Sequence, residues 1–367
     1  MRLLICAGGT GGGVYPALSV WQAIGSNVQS VLWVGGQGGM EADLVQRVNI
    51  PFAAIPAAGV HGVSLKALPG NLAQLLRGVQ AAGRILREFK PDVLFFTGGY
   101  VAAPMAWAGR RIPSLVYVPD IEPGFALKFL GRFASRIALT TEDSRGYFPG
   151  RKNLVVTGYP TRPELGRWNR VESRAALGLH DRQPVLLVFG GSKGARSINR
   201  ALMTALPTLL DHAQVVHISG QLDWEEVQTS RRALPDHQAG NYHAFPYLHE
   251  EMGAALAAAD LVLSRAGAST LGEFPFFALP AVLVPYPYAW RYQKVNAEYL
   301  ASRGAAVMLE DGQLGGKLLS TLLGLLQDPL RLETMRTAAR SLARPQAAQE
   351  IAQHLIELAG SSTGGHA

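Results

Sequence analysis

The sequence predicts an α/β protein built from two Rossmann-like, doubly wound domains. Three observations predict it. Short apolar runs alternate with helix-period segments along all 367 residues, the pattern of parallel strands joined by crossover helices. The device of strand, glycine loop and helix occurs twice, at Gly8-Gly9-Thr10-Gly11-Gly12-Gly13 and at Gly190-Gly191-Ser192-Lys193-Gly194-Ala195. Between them, Gly158-Tyr159-Pro160-Thr161-Arg162-Pro163 breaks the alternation with two prolines. One domain is therefore expected over residues 1–158 and a second over 159–345. A final helix over 346–358 carries Ile351, Leu355 and Leu358 on one face, and the segment 346–367 is expected to pack back on the first domain.

Composition agrees with two cores. Hydrophobic residues make up 48% of the chain, and 41 Gly and 22 Pro are spread out, as tight loops require, rather than clustered. A net charge of +7 points to an anionic partner: nucleic acid, an anionic membrane surface or a phosphorylated substrate. No recognisable nucleic-acid module is present, so nucleic acid is not expected. A single cysteine, Cys6, excludes an internal disulfide and a cysteine-built zinc site. No secretory signal is expected, because the apolar start runs at once into glycines. The longest uncharged apolar stretch, residues 274–290, contains Pro275, Pro280, Pro285 and Pro287. It cannot be a spanning helix, so any membrane contact is expected to be peripheral.

In the first half, residues 3–6 form a buried strand and a helix opens at Val14-Tyr15-Pro16-Ala17-Leu18. No lysine follows in the Gly-Lys-Ser/Thr form, which disfavours a P-loop. The second strand, residues 31–34, ends in Gly35-Gly36 without the ribose-binding acid of a dinucleotide fold, which argues against NAD. Further strands are expected at 92–96, 114–118, 136–139 and 154–157. From Asn71 a helix carries Leu72, Leu75, Leu76, Val79, Gly83 and Leu86 at helical spacing. Arg77, Arg84, Arg87 and Lys90 lie outside that stripe, with Lys66 just upstream. This is either a sheet-covering helix with a solvated basic face or a basic surface for anionic lipid headgroups. Met105 and Trp107, before Arg110-Arg111, form a second apolar-basic cluster. Thr97-Gly98-Gly99-Tyr100 and Pro119-Asp120-Ile121-Glu122-Pro123-Gly124 each follow a strand directly, where open α/β sheets bind ligands. Asp120 and Glu122 are the acids best placed there, and two acids alone make a thin magnesium site.

In the second half, strands are expected at 185–189, 214–218, 242–245, 260–263, 281–284 and 305–308. The most informative stretch is Ser264-Arg265-Ala266-Gly267-Ala268-Ser269-Thr270-Leu271-Gly272-Glu273. It leaves a strand, turns on small residues and enters a helix at Ser269 or Thr270. Free backbone N–H groups at such an entrance suit a phosphate. Glu273, about one turn in, cannot hold phosphate but can hold the vicinal hydroxyls of a sugar. Together these point to a nucleotide; the alternative is a capped helix with Glu273 in a capping box. His61, His217, His243 and His249 lie on less suitable segments and are expected to be structural or solvent-exposed.

Two such halves facing each other across a cleft form the GT-B glycosyltransferase architecture; a two-domain dehydrogenase or a sugar-nucleotide epimerase is the competing reading. The motifs go further. Gly8-Gly9-Thr10-Gly11-Gly12 with Pro16-Ala17-Leu18, Gly98-Gly99-Tyr100-Val101 with Pro104, and Thr157-Gly158-Tyr159-Pro160-Thr161-Arg162 are the first set. Gly190-Gly191-Ser192-Lys193-Gly194-Ala195, the 264–273 stretch, Leu279-Pro280-Ala281, Val284-Pro285-Tyr286-Pro287, Gln293 and Asn296-Ala297 are the second. Together they resemble the MurG family of N-acetylglucosaminyltransferases, glycosyltransferase family 28, nearly end to end. The resemblance implies inverting transfer of N-acetylglucosamine from UDP-GlcNAc, with no cofactor and no metal. The acceptor would be an undecaprenyl-diphosphate-linked muramyl-pentapeptide, the lipid I to lipid II step of peptidoglycan synthesis. It puts Arg162 and Ser192 at the donor diphosphate and lines the donor pocket with Gly267, Ala268, Ser269 and Thr270. Glu273 takes the ribose hydroxyls, Gln293 the donor sugar, and Leu248 the uracil through backbone groups. Thr10, Gly11 and Gly12 hold a diphosphate, the donor's or the lipid's. Gly13, Gly98, Gly99, Tyr100 and Asp120 form the acceptor side. The enzyme is expected to sit peripherally on the anionic cytoplasmic face of the cell membrane.

Several positions depart from the family's pattern. His usually follows the first glycine run, where this chain has Gly13. His-Glu-Gln-Asn usually stands where it has Tyr117-Val118-Pro119-Asp120, Asn where it has Tyr159, and Gln where it has Lys193. Inverting transfer needs a base near the attacking hydroxyl; Asp120 is the candidate, with Glu122 second. Two competing functions remain: a related transferase acting on another lipid, such as a diacylglycerol or polyprenol, and a UDP-sugar-binding or epimerase-like protein that transfers nothing to lipid.

Overall fold

The computed structural model describes residues 1–8, 11–39, 41–57, 68–191, 194–288 and 291–363. Thr10, Ser192, Lys193, His61 and Lys66 lie outside the described residues. The chain divides into two compact units, Met1–Thr161 with Pro345–Ala367, and Arg162–Arg344. The division falls inside the two-proline segment, just past the boundary expected after residue 158.

The first unit is one parallel sheet of β1 (Arg2–Ala7), β2 (Ser30–Gly36), β3 (Phe52–Ile55), β4 (Val93–Gly98), β5 (Ser114–Val118), β6 (Arg136–Leu139) and β7 (Leu154–Val156). Their order is β3-β2-β1-β4-β5-β6-β7. The crossovers carry α1 (Gly11–Ile24), α2 (Glu41–Gln46), α3 (Leu68–Phe89), α4 (Ala102–Ala108) and α5 (Phe125–Leu130). The central strands are continuous apolar runs because helices cover both faces; Leu3, Leu4, Ile5 and Cys6 are all fully buried. β3 is absent from the sequence-based expectation. It is four residues between Pro51 and Pro56 at the sheet edge, too short to show a period. The C-terminal helix, Ala347–Thr363, packs on α1, and its Glu357 Oε2 lies 2.6 Å from Arg136 Nη1.

Three expectations for this unit are corrected. α1 begins at Gly11 rather than Val14, so Gly12 and Gly13 lie in its first turn and not in a loop. α3 begins at Leu68, and its buried face is Gly78, Ala82 and Leu86; of the expected stripe Leu86 is buried, Leu75, Val79 and Gly83 are half-buried, and Leu76 is 61% exposed. Gly78 explains the rotation: a Cβ there would stand 2.3 Å from the Pro56 carbonyl oxygen, so this is the face that can approach closely. Met105 is fully buried in the core, whereas Trp107 is 48% exposed, so the two do not share a surface.

The second unit repeats the plan with β8 (Val185–Phe189), β9 (Gln214–Ile218), β10 (Tyr242–Phe245), β11 (Leu261–Ser264), β12 (Ala281–Leu283) and β13 (Ala306–Met308). Their order is β10-β9-β8-β11-β12-β13, again all parallel. Helices α6 (Arg170–Ala176), α7 (Arg196–Leu210), α8 (Trp224–Arg232), α9 (Asp236–Ala239), α10 (Met252–Ala258), α11 (Thr270–Phe276), α12 (Tyr292–Ser302), α13 (Leu314–Leu326) and α14 (Pro329–Ser341) complete it. Asp260 anchors the N-terminal edge of this sheet. It receives Arg170 at 2.6 Å, Arg174 at 2.9 Å, Arg336 at 3.5 Å and the Val185 amide at 2.9 Å. This charge cluster ties α6 and α14 to β8 and β11 at the end opposite the glycine turns.

Chain order reverses between β1 and β4 in one sheet and between β8 and β11 in the other. A crevice opens beyond the carboxyl ends of strands at such switch points. Both glycine loops leave from these strands, the first from β1 and the second from β8.

Candidate functional site

In the second unit, β8 leads into the turn that starts α7, and Gly191 and Gly194 take φ of 96° and 78°. A Cβ on Gly194 would lie 2.3 Å from the Ser219 carbonyl oxygen, so the turn is pressed against the end of β9. β11 leads into the small-residue turn and α11. Ser269 is the N-cap and makes no side-chain cap bond. Glu273 is then the fourth residue past the cap, one beyond the capping-box position, so the capping-box alternative falls.

Glu273 is 8% exposed, and its Oε1 stands 3.4 Å from Arg162 Nη2. Burial raises its carboxyl above the ordinary value, while the Arg162 charge and hydrogen bonds from Arg162 and Ser269 pull the other way. The structure thus brings Arg162, Ser269 and Glu273 into direct contact. Thr270 Oγ1 donates to the Gly267 carbonyl at 2.7 Å, and buried Asn296 donates from α12 to the Ala266 carbonyl at 3.1 Å. These bonds set the shape of the turn. A Cβ on Gly267 would meet nothing within 4 Å, so the turn faces open space at this position, while Ala268 beside it is buried.

Arg265, within the same stretch, has a structural role. Its guanidinium is buried and donates to the Val284 carbonyl at 3.1 Å, Asp311 Oδ1 at 2.5 Å and Ser197 Oγ at 2.7 Å. It ties β11 and β12 to α7 and the segment before α13. Gln293, in α12, accepts from the Tyr286 amide at 2.9 Å, which fixes the loop after β12. Leu248 is half-buried in the loop after β10, at the edge of the sheet and separated from β11 by β9 and β8.

In the first unit, the loops after β1 and β4 meet. Gly98 and Gly99 take φ of 121° and 87°, and a Cβ on Gly99 would lie 2.8 Å from the Gly8 carbonyl oxygen. Thr97 Oγ1 donates to the Gly13 carbonyl at 2.7 Å, joining β4 to the first turn of α1. Tyr100, next in line, is 62% exposed. Asp120 follows β5 and is half-buried. Glu122 is more deeply buried, and Lys128 Nζ lies 3.7 Å from its Oε1.

Sequence reasoning missed Glu41. It is almost fully buried at the start of α2, and its Oε1 accepts from the Gly36 amide at 2.8 Å. A Cβ on Gly8 would come within 2.9 Å of the same oxygen, so this carboxylate lies directly against the first glycine loop. The signal was present in Gly35 and Gly39, where a Cβ would stand 3.0 Å from the Glu41 Cγ and 2.3 Å from its Oε2. Among the described residues, no group of three or more His, Cys, Asp or Glu could hold a metal ion.

Comparison with known proteins agrees with this geometry. The glycosyltransferase family 28 N-terminal domain matches residues 3–139, and the family 28 C-terminal domain matches residues 185–354. A UDP-N-acetylglucosamine--N-acetylmuramyl-(pentapeptide) pyrophosphoryl-undecaprenol N-acetylglucosamine transferase of Desulforudis audaxviator is 40% identical, over 99% of this chain and 100% of its own length. The protein of that name from Bacillus licheniformis is 34% identical over 98% of this chain and 99% of its own. The crystal structure of Acinetobacter baumannii MurG superposes with a TM-score of 0.78 at 30% identity, covering 97% of this chain and 99% of that one. A UDP-GlcNAc 2-epimerase from Neisseria meningitidis, bound to UDP-GlcNAc, reaches a TM-score of 0.68 at 13% identity over 97% and 100% of the two chains, a likeness of fold alone.

Proposed function

The chain belongs to glycosyltransferase family 28, and from that premise we propose that it transfers N-acetylglucosamine from UDP-GlcNAc to the undecaprenyl-diphosphate-linked muramyl-pentapeptide. The observation that carries this reading is the Arg162–Glu273 pair beside the open turn at Gly267, on the switch point of the second sheet. A buried carboxylate one turn into a helix suits ribose hydroxyls, and the guanidinium beside it suits the diphosphate. Ser192, Ala268, Ser269, Thr270, Gln293 and Leu248 complete the donor side.

The acceptor oxygen attacks the anomeric carbon from the side opposite UDP, and the bond to UDP breaks as the new bond forms. Asp120 takes the proton of the attacking hydroxyl. Arg162 and the backbone N–H groups where the second glycine turn enters α7 meet the charge of the departing diphosphate, without a metal. The lipid diphosphate lies at Thr10 and the first turn of α1, Gly11 to Gly13, with Gly98, Gly99 and Tyr100 after β4 on the same side. Among the described residues no helix is long and apolar enough to cross a membrane. Docking is peripheral, on the cytoplasmic face, through exposed Leu76 and Trp107 with Arg77, Arg84, Arg87, Arg110 and Arg111 around them.

A second reading, a different lipid acceptor, is favoured by one feature. Tyr117 and Tyr159 are buried on the acceptor side with their rings 6.4 Å apart, where the family pattern has smaller polar groups. UDP release separates transfer from hydrolysis. Release is expected to need the muramyl lipid and to survive EDTA; undiminished release without any acceptor would contradict transfer.

A further inference from the structure

The backbone leading into Asp120 is held by one hydroxyl. Tyr117, in β5, is fully buried, and its phenol oxygen lies 2.7 Å from Thr140 Oγ1. Thr140, just past β6, is buried too, and its Oγ1 lies 2.9 Å from the carbonyl oxygens of both Val118 and Pro119. A hydroxyl carries one proton. Thr140 gives that proton to the two carbonyls, so Tyr117 must donate to Thr140.

The consequence reaches Asp120. The Val118–Pro119 and Pro119–Asp120 peptide planes are both tied to Thr140 Oγ1. The proline ring fixes φ, and the carbonyl bond fixes ψ, so Pro119 has no freedom left. The Asp120 Cα lies in the second plane, and its position is set. Tyr159 packs edge-on against the Tyr117 ring, 6.4 Å between centroids at 67°, and closes the far side. Burial pushes the Tyr117 phenol well above its ordinary value; the charges of Tyr159 and Asp120 push the same way, so it remains a donor at working pH.

We propose that Tyr117 and Thr140 are positioning residues for Asp120, through the chain of hydrogen bonds from the Tyr117 phenol to Thr140 Oγ1 to the Pro119 carbonyl. The proposal rests on Asp120 being the base for the acceptor hydroxyl. Both positioning residues are buried, so neither is placed to touch the substrate directly.

A double-mutant cycle tests it, with turnover and donor KM measured for Asp120→Asn, Thr140→Val and the pair. Thr140→Val is expected to lower kcat about tenfold with donor KM unchanged, and Thr140→Ser, which keeps the hydroxyl, to restore it. In the Asp120→Asn background, Thr140→Val is expected to cost nothing further. Wild-type turnover by Asp120→Asn would overturn the base and the brace together. A slow Asp120→Asn enzyme on which Thr140→Val imposes its full additional loss would overturn the brace alone. Tyr117→Phe removes one oxygen and takes the place of Thr140→Val in the cycle if that variant does not fold.

Discussion

Arg162 Nη2 and Glu273 Oε1 stand 3.4 Å apart, joining the first residue of the second unit to an acid one turn into α11. The pair is partly shielded from water, so both groups are costly to leave without a counterpart. Glu273→Gln keeps the shape and loses the charge. We expect it to raise the donor KM about tenfold or more, the effect of losing one or two hydrogen bonds to a charged group. Arg162→Ala is expected to lower kcat more than it raises KM, because its charge matters most as UDP departs. Steady-state kinetics with varied UDP-GlcNAc checks both.

Two glycines separate folding from binding. Gly99→Ala places a Cβ 2.8 Å from the Gly8 carbonyl oxygen at a φ of 87°. It should cost on the order of 1–3 kcal/mol of stability, read as a lowered Tm. Gly267→Ala meets nothing within 4 Å and should fold normally. Its methyl group would project into the donor space, so a raised donor KM with an unchanged Tm is expected. A Gly267→Ala enzyme with ordinary donor KM would move the donor away from this turn.

The acidic limb of the stability curve belongs in part to His217. Its Nδ1 lies 2.8 Å from the Tyr242 hydroxyl and its Nε2 3.0 Å from Asn199 Oδ1, and both partners are buried. The Asn199 amide nitrogen donates to the Ser219 carbonyl and to Asp223, so its oxygen accepts and His217 Nε2 carries the proton. Burial lowers the imidazole from 6.5 to about 3. The unfolded chain takes up a proton below pH 6.5 that the folded one refuses. The contribution is therefore complete above pH 6.5 and is lost as pH falls toward 3, at about 1.4 kcal/mol per pH unit. His217→Gln is expected to lower Tm at pH 7 and to flatten its fall below pH 6.5; parallel curves for the two proteins would contradict this.

Membrane docking has a sharp signature. Leu76 is 61% exposed and Trp107 48% exposed, with Arg110 stacked 5.5 Å over the indole. Sedimentation with anionic vesicles should exceed that with neutral ones and fall steeply with salt. Leu76→Glu should weaken it without lowering Tm, since surface changes rarely exceed about 0.5 kcal/mol. Equal binding to neutral vesicles would contradict an electrostatic dock.

Much of this was legible in the sequence because the informative features are local. A buried parallel strand is a continuous apolar run, and a glycine turn after it marks a phosphate-facing loop, so β1, β8 and β11 with their turns could be located from composition and period alone. What stayed hidden was set by distant partners. Arg265 stands in the 264–273 stretch, and its bonds to Asp311 and Ser197 are visible only in the fold. Glu122 matches Asp120 in sequence, and its deeper burial beside Lys128 is visible only in the fold. Glu41 is positioned by glycines from two different loops, and β3 is too short for its alternation to register. The facing of α3 was decided by one close approach, Gly78 against Pro56, which no helical period contains.

Transfer itself is the most direct measurement: labelled UDP-GlcNAc with purified undecaprenyl-diphosphate-linked muramyl-pentapeptide, beside diacylglycerol and acceptor-free controls. Label is expected in the muramyl lipid alone, with Asp120→Asn lowering the rate by about 10²-fold or more while donor KM holds. Label in diacylglycerol, or in neither lipid, would contradict the acceptor assigned to this chain.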